Sequence, residues 1–316
     1  MVRVLVLCGT GFIGSRVVAR LAEEGHEVAV FHRGSTGGPL PEGVRRIIGD
    51  RRNLQDHASS FRALAPDVAL DMYALSESDA RTAVTALRGV VRRVVAVSSQ
   101  DVYRAYGRLI RLEPGEAEPV PICEDAPLRE RMYPHRGQAP RLHDYEKILV
   151  ERVVMGAPWI TGTVVRLPMV YGPGDKQHRF LHYLEQMWRG APTIVLGSGI
   201  ARWRASMGYV ENIAAAIALA VTQEKAAGQV YNVAEPWALT EAEWVALLGR
   251  TVGWNGEVVT VPEDRLPPHL RTDLDTRQDL VADSTRIRAE LGYREVYSLE
   301  EAVRATVAWE LSQRPP

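Results

Sequence analysis

The chain opens with an apolar run, from Val4 to Leu7, that does not alternate with polar residues. Such a run is typical of a strand that is buried on both faces of a parallel sheet. Apolar residues then recur at helical spacing, at Val17, Val18 and Leu21, until Gly25. The pattern therefore predicts a buried strand, a short turn and an amphipathic helix that ends near Gly25.

Apolar strands continue to alternate with amphipathic helices through the first half of the sequence. Further strands are predicted over 27–31, 44–48, 66–71, 93–99 and 161–167. Helices are predicted over 54–64, 77–87, 144–154, 180–189 and 240–248. Because strands that alternate with helices form a parallel sheet covered on both faces, the predicted fold class is α/β, a doubly wound sheet of the Rossmann type.

The turn after the first strand contains three glycines, Gly9, Gly11 and Gly14, with the spacing G-x-G-x-x-G. Pyrophosphate needs backbone N–H donors and the positive end of a helix dipole. Gly9 permits the tight turn, Gly11 leaves room for the phosphates, and Gly14 lets the helix pack closely on the strand. The alternative is a strand–helix turn that uses glycine for geometry alone. The position between a buried strand and a helix favours a dinucleotide site.

The end of the second strand indicates which dinucleotide is bound. In a Rossmann fold an acidic residue there binds the ribose hydroxyls of NAD, whereas an arginine accommodates the 2′-phosphate of NADP. This chain has Arg33 at that place and no acid. We therefore expect NADP or NAD as the cofactor, with NADP favoured. The alternative is that Arg33 is an ordinary loop arginine.

Composition and charge exclude several classes of protein. The chain has 316 residues and a formal net charge of −1, so no global field favours nucleic acid or an anionic membrane. Arginine pairs such as Arg51-Arg52 are expected to be solvated surface. Cys8 and Cys123 form neither a metal pattern nor a disulfide framework, which favours a reducing cytoplasm and no metal. No apolar run reaches membrane-spanning length.

Regular patterning stops between residues 105 and 140. Six prolines prevent long helices there. Because a loop of this length is commonly functional, we interpret it as an insertion near the mouth of an active site. A plain surface excursion is the alternative.

With these elements placed, the chain resembles the extended short-chain dehydrogenase/reductase family, the NAD-dependent epimerase/dehydratase group. The resemblance covers nearly the whole length. The motifs that carry it are Gly9-Thr-Gly-Phe-Ile-Gly14, Gly49-Asp50, Ser98-Ser-Gln-Asp-Val-Tyr103, Lys147 with Glu151, Arg166-Leu-Pro-Met-Val-Tyr-Gly-Pro-Gly174, Tyr209-Val-Glu-Asn-Ile-Ala214, Tyr231-Asn-Val233 and a tail from Asp283 to Val303.

The resemblance implies a division into two domains. Residues 1–170 would form the dinucleotide-binding Rossmann domain, to which residues 209–233 would return. Residues 171–316 would mainly form a smaller substrate-binding domain. A homodimer is also implied.

The resemblance also implies roles for individual residues. Ser99 matches the family's catalytic serine or threonine, and Lys147 matches the lysine that binds the nicotinamide ribose. Asp50 would lie by the adenine and Pro168 near the nicotinamide. The remaining implied contacts are Phe12 and Ile13 with the cofactor, and Arg202 or Arg204 with a substrate phosphate.

Two positions depart from the family pattern. The family usually has glycine where Cys8 stands, so two outcomes stay open: the small thiol fits there, or the pyrophosphate loop is altered. Its catalytic motif is Tyr-x-x-x-Lys, and four residues before Lys147 stands His143. The spacing matters because residues four apart share one helix face, where a lysine ammonium lowers the pKa of the acid/base.

Three interpretations of this position stay open. His143 is the acid/base, since imidazole titrates near neutral pH. Alternatively Tyr145, which a regular helix would point elsewhere, or the loop residue Tyr133 reaches the site. In the third interpretation the redox chemistry is lost and the fold only binds.

The leading hypothesis is an enzyme that transfers a hydride between nicotinamide and a nucleotide sugar or related carbonyl or hydroxyl compound. Ser99 would bind the reacting oxygen, His143 would move its proton, and Lys147 would orient the cofactor ribose. Epimerase, dehydratase and reductase share these parts. The alternative is a noncatalytic dinucleotide-binding or sensor protein. Nucleic-acid binding has little support, because the sequence shows no basic and aromatic patch.

Overall fold

The structure is a computed structural model that describes residues 1–35 and 40–314. Its strands are β1 Arg3–Leu7, β2 Glu27–His32, β3 Arg45–Ile48, β4 Val68–Asp71, β5 Arg93–Ser99, β6 Thr161–Leu167, β7 Met169–Tyr171, β8 Thr193–Gly197, β9 Met207–Tyr209, β10 Val230–Asn232 and β11 Glu257–Val261. Its α-helices are α1 Phe12–Glu23, α2 Ala58–Leu64, α3 Glu77–Ala86, α4 Arg104–Leu109, α5 Lys147–Gly156, α6 Leu181–Trp188, α7 Ser198–Arg202, α8 Val210–Thr222, α9 Glu241–Val252, α10 Thr285–Leu291 and α11 Leu299–Ser312.

Within the described residues, the main sheet has the strand order β10-β6-β5-β4-β1-β2-β3, with every neighbouring pair parallel. The strand order reverses direction between β1 and β4. At such a switch point the loops after the two strands separate and leave a crevice outside the sheet, where ligands of this fold class bind. The predicted doubly wound α/β fold class is confirmed.

Successive residues of β1 point into two different cores. Val4 and Val6 pack with Val17, Val18 and Leu21 of α1 on one face. Leu5 and Leu7 pack on the opposite face with residues of α2, α3 and α5. Because both sides of the strand are buried, its sequence carries no polar alternation.

Residues 209–233 run beside the main sheet, since α8 packs against α1 and β10 pairs with β6. Two further parallel pairs, β8 with β11 and β7 with β9, are formed by residues after β6. The division of the chain into domains 1–170 and 171–316 stays a prediction.

In the described part of the chain, no helix has the length and apolar character needed to cross a membrane.

Candidate active site

The turn between β1 and α1 has an open face at Gly11. Among the described residues, a Cβ atom built on Gly11 meets no atom within 4 Å, and no side chain caps the start of α1. At Gly14, in contrast, a Cβ would lie 2.9 Å from the Cα of Gly9, so the helix packs tightly on the turn. Phe12 and Ile13, the first residues of α1, are half-buried. Uncapped N–H groups and open space at Gly11 fit a pyrophosphate.

The left-handed backbone of this turn is at Cys8, not at a glycine. Cys8 has a φ of 62° and its N–H donates to the carbonyl of Phe31 at 2.8 Å. Gly9 is required for a different reason, because a Cβ there would lie 2.6 Å from Cγ1 of Val6. Burial raises the pKa of the Cys8 thiol, and the nearby Arg51 opposes that shift. Cys8 thus takes the left-handed conformation itself, and the space at Gly11 stays open.

Arg33 and Asp50 lie at the same edge, after β2 and β3. Arg33 is exposed. The Asp50 carboxylate accepts from the backbone N–H of Arg52 at 2.9 Å and pairs with the Arg52 guanidinium at 2.6 Å. These hydrogen bonds, with a smaller effect of the Arg33 charge, lower the pKa of Asp50 to about 2. Asp50 is thus held by Arg52, whereas Arg33 acts on it only through its charge.

A buried ion pair joins the segment after β3 to the end of β4. The Arg51 guanidinium donates to both Asp71 oxygens, at 2.7 and 2.6 Å, and the two residues are 8% and 2% exposed. The prediction that Arg51 is solvated surface is wrong, because the carboxylate at the end of β4 draws it inward. Sequence patterning alone does not reveal this, since the partners lie twenty residues apart.

The end of β5 brings together Ser99, Tyr145 and Asp101. The phenol of Tyr145 donates to Oδ2 of Asp101 at 2.6 Å. The Ser99 hydroxyl lies beside the phenol and acts to lower the pKa of Tyr145, and its Oγ accepts from the N–H of Asp101 at 3.2 Å. Burial, together with the Asp101 charge, raises the pKa of Tyr145 well above its ordinary value. The tyrosine is therefore held in its protonated form.

Lys147 lies beneath this group. Its Nζ donates to the carbonyl oxygens of Ala74 at 2.7 Å and Val97 at 2.9 Å. Burial lowers the pKa of Lys147, while the charges of Asp101 and Asp71 oppose that shift. Lys147 thus ties the loop after β4 to β5 at the carboxyl edge.

The predicted helix over 144–154 is wrong at its start, because α5 begins at Lys147. Glu146 caps this helix by accepting from the N–H of Ile148 at 3.0 Å. His143 and Lys147 are therefore not one helical turn apart. The His143 side chain is 63% exposed and lies 4.0 Å from Asp144. Tyr145, in the irregular residues just before α5, turns its phenol to Asp101.

The long loop holds this segment in place. The guanidinium of Arg129, fully buried, donates to the Glu146 carboxylate at 2.9 and 3.3 Å and to the carbonyl of Asp101 at 2.5 Å. The N–H of Tyr133 donates to the same carboxylate at 2.6 Å, while its ring lies under Arg136. These contacts favour the interpretation of an insertion at the active site over a plain surface excursion.

A second buried network supports the strand ends. The Ser98 hydroxyl donates to Glu151 at 2.6 Å, and Glu151 pairs with Arg166 at 2.7 Å. The contacts of Ser98 with Glu151 and of Glu151 with Arg166 join β5, α5 and β6. They hold the end of β5, where Ser99 stands, in position.

The remaining predicted residues follow β6 in the chain. Pro168 is half-buried between β6 and β7. Arg204 is paired with Asp279 at 2.7 Å, whereas Arg202, at the end of α7, is exposed. Of the two candidate phosphate ligands, Arg202 is thus the one not held by Asp279.

Sequence reasoning missed Asp101 as a site residue. It stands inside the quoted motif Ser98-Ser-Gln-Asp-Val-Tyr103, two residues after Ser99. An acidic residue so close to the end of a central strand was the available signal.

A parallel sheet with an open glycine turn after its first strand defines a dinucleotide-binding protein of the Rossmann class. A family model described as the NAD dependent epimerase/dehydratase family matches residues 4–234. The chain belongs to this family, and it is accordingly an enzyme of the NAD-dependent epimerase/dehydratase class.

Similar proteins include enzymes of several activities. The 2'-dehydrokanamycin reductase of Streptomyces kanamyceticus is 29% identical over 272 residues, which are 83% of this chain and 70% of that protein. A UDP-glucose 4-epimerase of Thermotoga maritima, solved with UDP-glucose, is 21% identical with a TM-score of 0.72, covering 98% of this chain and 99% of that chain. The enzyme WbmG of Bordetella bronchiseptica, solved with NAD, is 17% identical with a TM-score of 0.73, covering 99% and 94%. The two structures show the shared fold.

Proposed function

We propose that this protein is an NAD(P)-dependent carbonyl reductase in which Tyr145 gives the proton to the reacting oxygen. The observation that carries the proposal is the position of the Tyr145 phenol, beside Ser99 and 2.6 Å from Oδ2 of Asp101 at the end of β5. Ser99 and a tyrosine phenol at a strand end form a site that can bind one substrate oxygen and protonate it. The exposed position of His143 does not favour it for this role.

Reduction is the proposed working direction. The similarity to a protein named as a 2'-dehydrokanamycin reductase supports this direction.

The glycine turn and its surroundings fit a nicotinamide dinucleotide. Gly11 and the start of α1 would hold the pyrophosphate, and Asp50 would lie at the adenine. Ile48, which is 57% exposed at the end of β3, offers an apolar surface beside them. Lys147 would bind the nicotinamide ribose, and Pro168 would border the nicotinamide. When bound, this cofactor supplies the hydride for the reduction.

We further propose NADP as the preferred cofactor. Arg33 is exposed after β2, near Asp50, and its guanidinium suits a 2′-phosphate. The bound NAD of WbmG does not decide the preference of this chain, because the two are only 17% identical.

A nucleotide sugar or a related carbonyl compound is the proposed substrate class. Arg202 is exposed at the end of α7 and would meet a substrate phosphate, whereas Arg204 is engaged by Asp279. The Thermotoga maritima epimerase was solved with a compound of this class, UDP-glucose.

The proposal is tested by titrating the purified protein with NADPH and NADH, then following loss of reduced-nicotinamide absorbance with two carbonyl probes. One probe is phenanthrenequinone and the other is a thymidine-diphosphate ketosugar. We expect turnover of at least one probe, and turnover of the ketosugar supports the nucleotide-sugar class. Turnover of the quinone alone contradicts a nucleotide-sugar substrate but still supports a carbonyl reductase. Binding of cofactor without turnover of either probe contradicts the reductase and is the result expected of a protein that only binds.

A further inference from the structure

A histidine of the long loop lies against the Tyr145 and Asp101 pair. Nε2 of His135 is 3.7 Å from Oδ2 of Asp101, the same oxygen that accepts from Tyr145. The His135 ring also packs edge-on against the Tyr145 ring, with centroids 5.0 Å apart. The His135 side chain is 18% exposed and that of Asp101 is 9% exposed. Oδ2 of Asp101 therefore lies within reach of both the Tyr145 phenol and an imidazole that solvent can reach.

We propose that His135 and Asp101 relay a proton from solvent to Tyr145 during carbonyl reduction. The inference rests on the proposed function, since it concerns how Tyr145, the proton donor of that reaction, is protonated again. It gives a role in the reaction to two more residues, Asp101 and His135, and His135 lies ten positions before Tyr145 in the chain.

The bonding of Asp101 supports a carrier role rather than a structural one. A buried carboxylate that only holds structure normally has partners on both oxygens. Among the described residues, Oδ1 of Asp101 has no hydrogen-bond partner, whereas Oδ2 faces both Tyr145 and His135. One oxygen thus stands between two groups that can carry a proton.

The orientation of the His135 ring also fits the relay. Its Nδ1 lies 3.2 Å from the amide oxygen of Gln138, an arrangement that suits a proton on Nδ1 and leaves Nε2 to exchange with Asp101. A distance of 3.7 Å is typical of catalytic contacts that shorten in the substrate complex.

The other charged and titratable groups around Asp101 leave Oδ2 to these two partners. Arg129 binds the backbone carbonyl of Asp101, not its carboxylate, and its own charge is paired with Glu146. Lys147 is bonded to backbone carbonyls, and Tyr106 packs on the His135 ring with centroids 6.0 Å apart. None of these contacts occupies the path from His135 to Tyr145.

The proton balance is as follows in each turnover. The O–H bond of Tyr145 breaks as the O–H bond of the product forms on the former carbonyl oxygen. In this relay Asp101 starts as a carboxylate and His135 as an imidazolium, with protons on both Nδ1 and Nε2. Nε2 gives its proton to Oδ2 of Asp101, and Oδ2 passes that proton to the phenolate. A proton from solvent then returns to Nε2, so the three side chains end in their starting states.

The test is His135→Ala, assayed with whichever of phenanthrenequinone and the thymidine-diphosphate ketosugar the wild type reduces faster. Because general acid catalysis contributes about 100-fold or more, loss of the resupply route is expected to lower kcat about 10- to 100-fold and to raise the solvent isotope effect. Affinity for NADPH is expected to stay within about 2-fold, since His135 is remote from the glycine turn. Free imidazole in the buffer is expected to restore part of kcat, because the vacated space opens to solvent.

Two further variants separate a relay from a packing role. His135→Phe keeps a ring against Tyr106 and Tyr145, so it is expected to lose kcat as the alanine variant does but to gain nothing from imidazole. His269→Ala removes an exposed histidine from a distant turn, Pro268–Leu270, and is expected to keep kcat.

The relay is overturned if His135→Ala keeps wild-type kcat and isotope effect, or if imidazole restores neither variant although both are folded. A wild type that binds NADPH but reduces neither probe is a different result, because the proposed function itself then fails.

Discussion

Arg33 is the side chain on which the proposed cofactor preference depends. It is exposed after β2 and close enough to Asp50 to affect the pKa of that carboxyl. A guanidinium–phosphate hydrogen bond contributes about 1.5–3 kcal/mol, which is about 10-fold or more in affinity. Arg33→Ala is therefore expected to weaken NADPH binding about 10-fold or more and to leave NADH binding within about 2-fold.

Fluorescence titration with each dinucleotide checks this expectation. Arg45→Ala is the control, because Arg45 is also exposed but lies at the opposite end of β3. Equal weakening of NADPH and NADH binding in Arg33→Ala would show that Arg33 does not bind the 2′-phosphate.

Single residues also show what the sequence could predict. The roles of Gly11 and Gly14 follow from local spacing, and the structure shows an open face at one and close packing at the other. The position of Tyr145 could not be predicted in this way. It depends on Glu146 capping α5, so that the helix begins only at Lys147, and Glu146 is at the same time bonded to Arg129, seventeen residues away in the chain. A contact between residues so far apart in the chain cannot be predicted from the spacing of apolar residues.

At the scale of elements, the long loop and α5 are joined by one buried ion pair. Arg129 and Glu146 are both fully buried as side chains, 2.9 Å apart. Removing one member of such a pair leaves an uncompensated buried charge, which costs about 3–5 kcal/mol. Arg129→Met is therefore expected to lower the free energy of unfolding by about that amount and to displace Tyr145.

Urea unfolding measures the loss, with Arg81→Met as the matched control. Arg81 pairs with Glu77 at a similarly short distance, but its side chain is 67% exposed, so the expected change is about 0.5 kcal/mol or less. Equal stability of the two variants would mean that the Arg129–Glu146 pair does not anchor the loop.

Elements differ in how far their pattern predicts them. The bounds of β5 and β6 match the predicted 93–99 and 161–167, because buried strands carry continuous apolar runs. The helix predicted over 54–64 is instead a short 3₁₀ segment, Arg51–His57, followed by α2. Arg51 turns inward to Asp71 at that point, a long-range contact that the local pattern does not contain.

At the scale of the whole molecule, buried tyrosines predict loss of stability in alkali. Burial raises the pKa of Tyr103, Tyr106 and Tyr209 to about 12 each. In the unfolded chain a tyrosine loses its proton near pH 10, so between about pH 10 and 12 the folded state binds more protons. The free energy of unfolding is therefore expected to be unaffected by these groups below about pH 10 and to fall above it, by up to about 1.4 kcal/mol per pH unit for each tyrosine.

Urea unfolding between about pH 8 and 11 checks this. Tyr106→Phe is expected to fold and to show a slope smaller by about one proton, since its hydroxyl titrates no longer. A free energy of unfolding that stays constant to about pH 11 would contradict the burial of these phenols.

The resemblance to the extended short-chain dehydrogenase/reductase family predicted the overall fold and the family correctly. The homodimer, the domain boundaries and the substrate stay predictions. They depend on surfaces and pocket shapes that motif spacing does not encode.

The central claim is that Tyr145, not His143, protonates the substrate. The most direct measurement is kcat for Tyr145→Phe and His143→Phe, with NADPH and the carbonyl probe that the wild type reduces. We predict a loss of about 100-fold or more for Tyr145→Phe with cofactor affinity kept, and a change within about 2-fold for the exposed His143. The reverse result, loss at His143 with activity kept at Tyr145, would contradict the account.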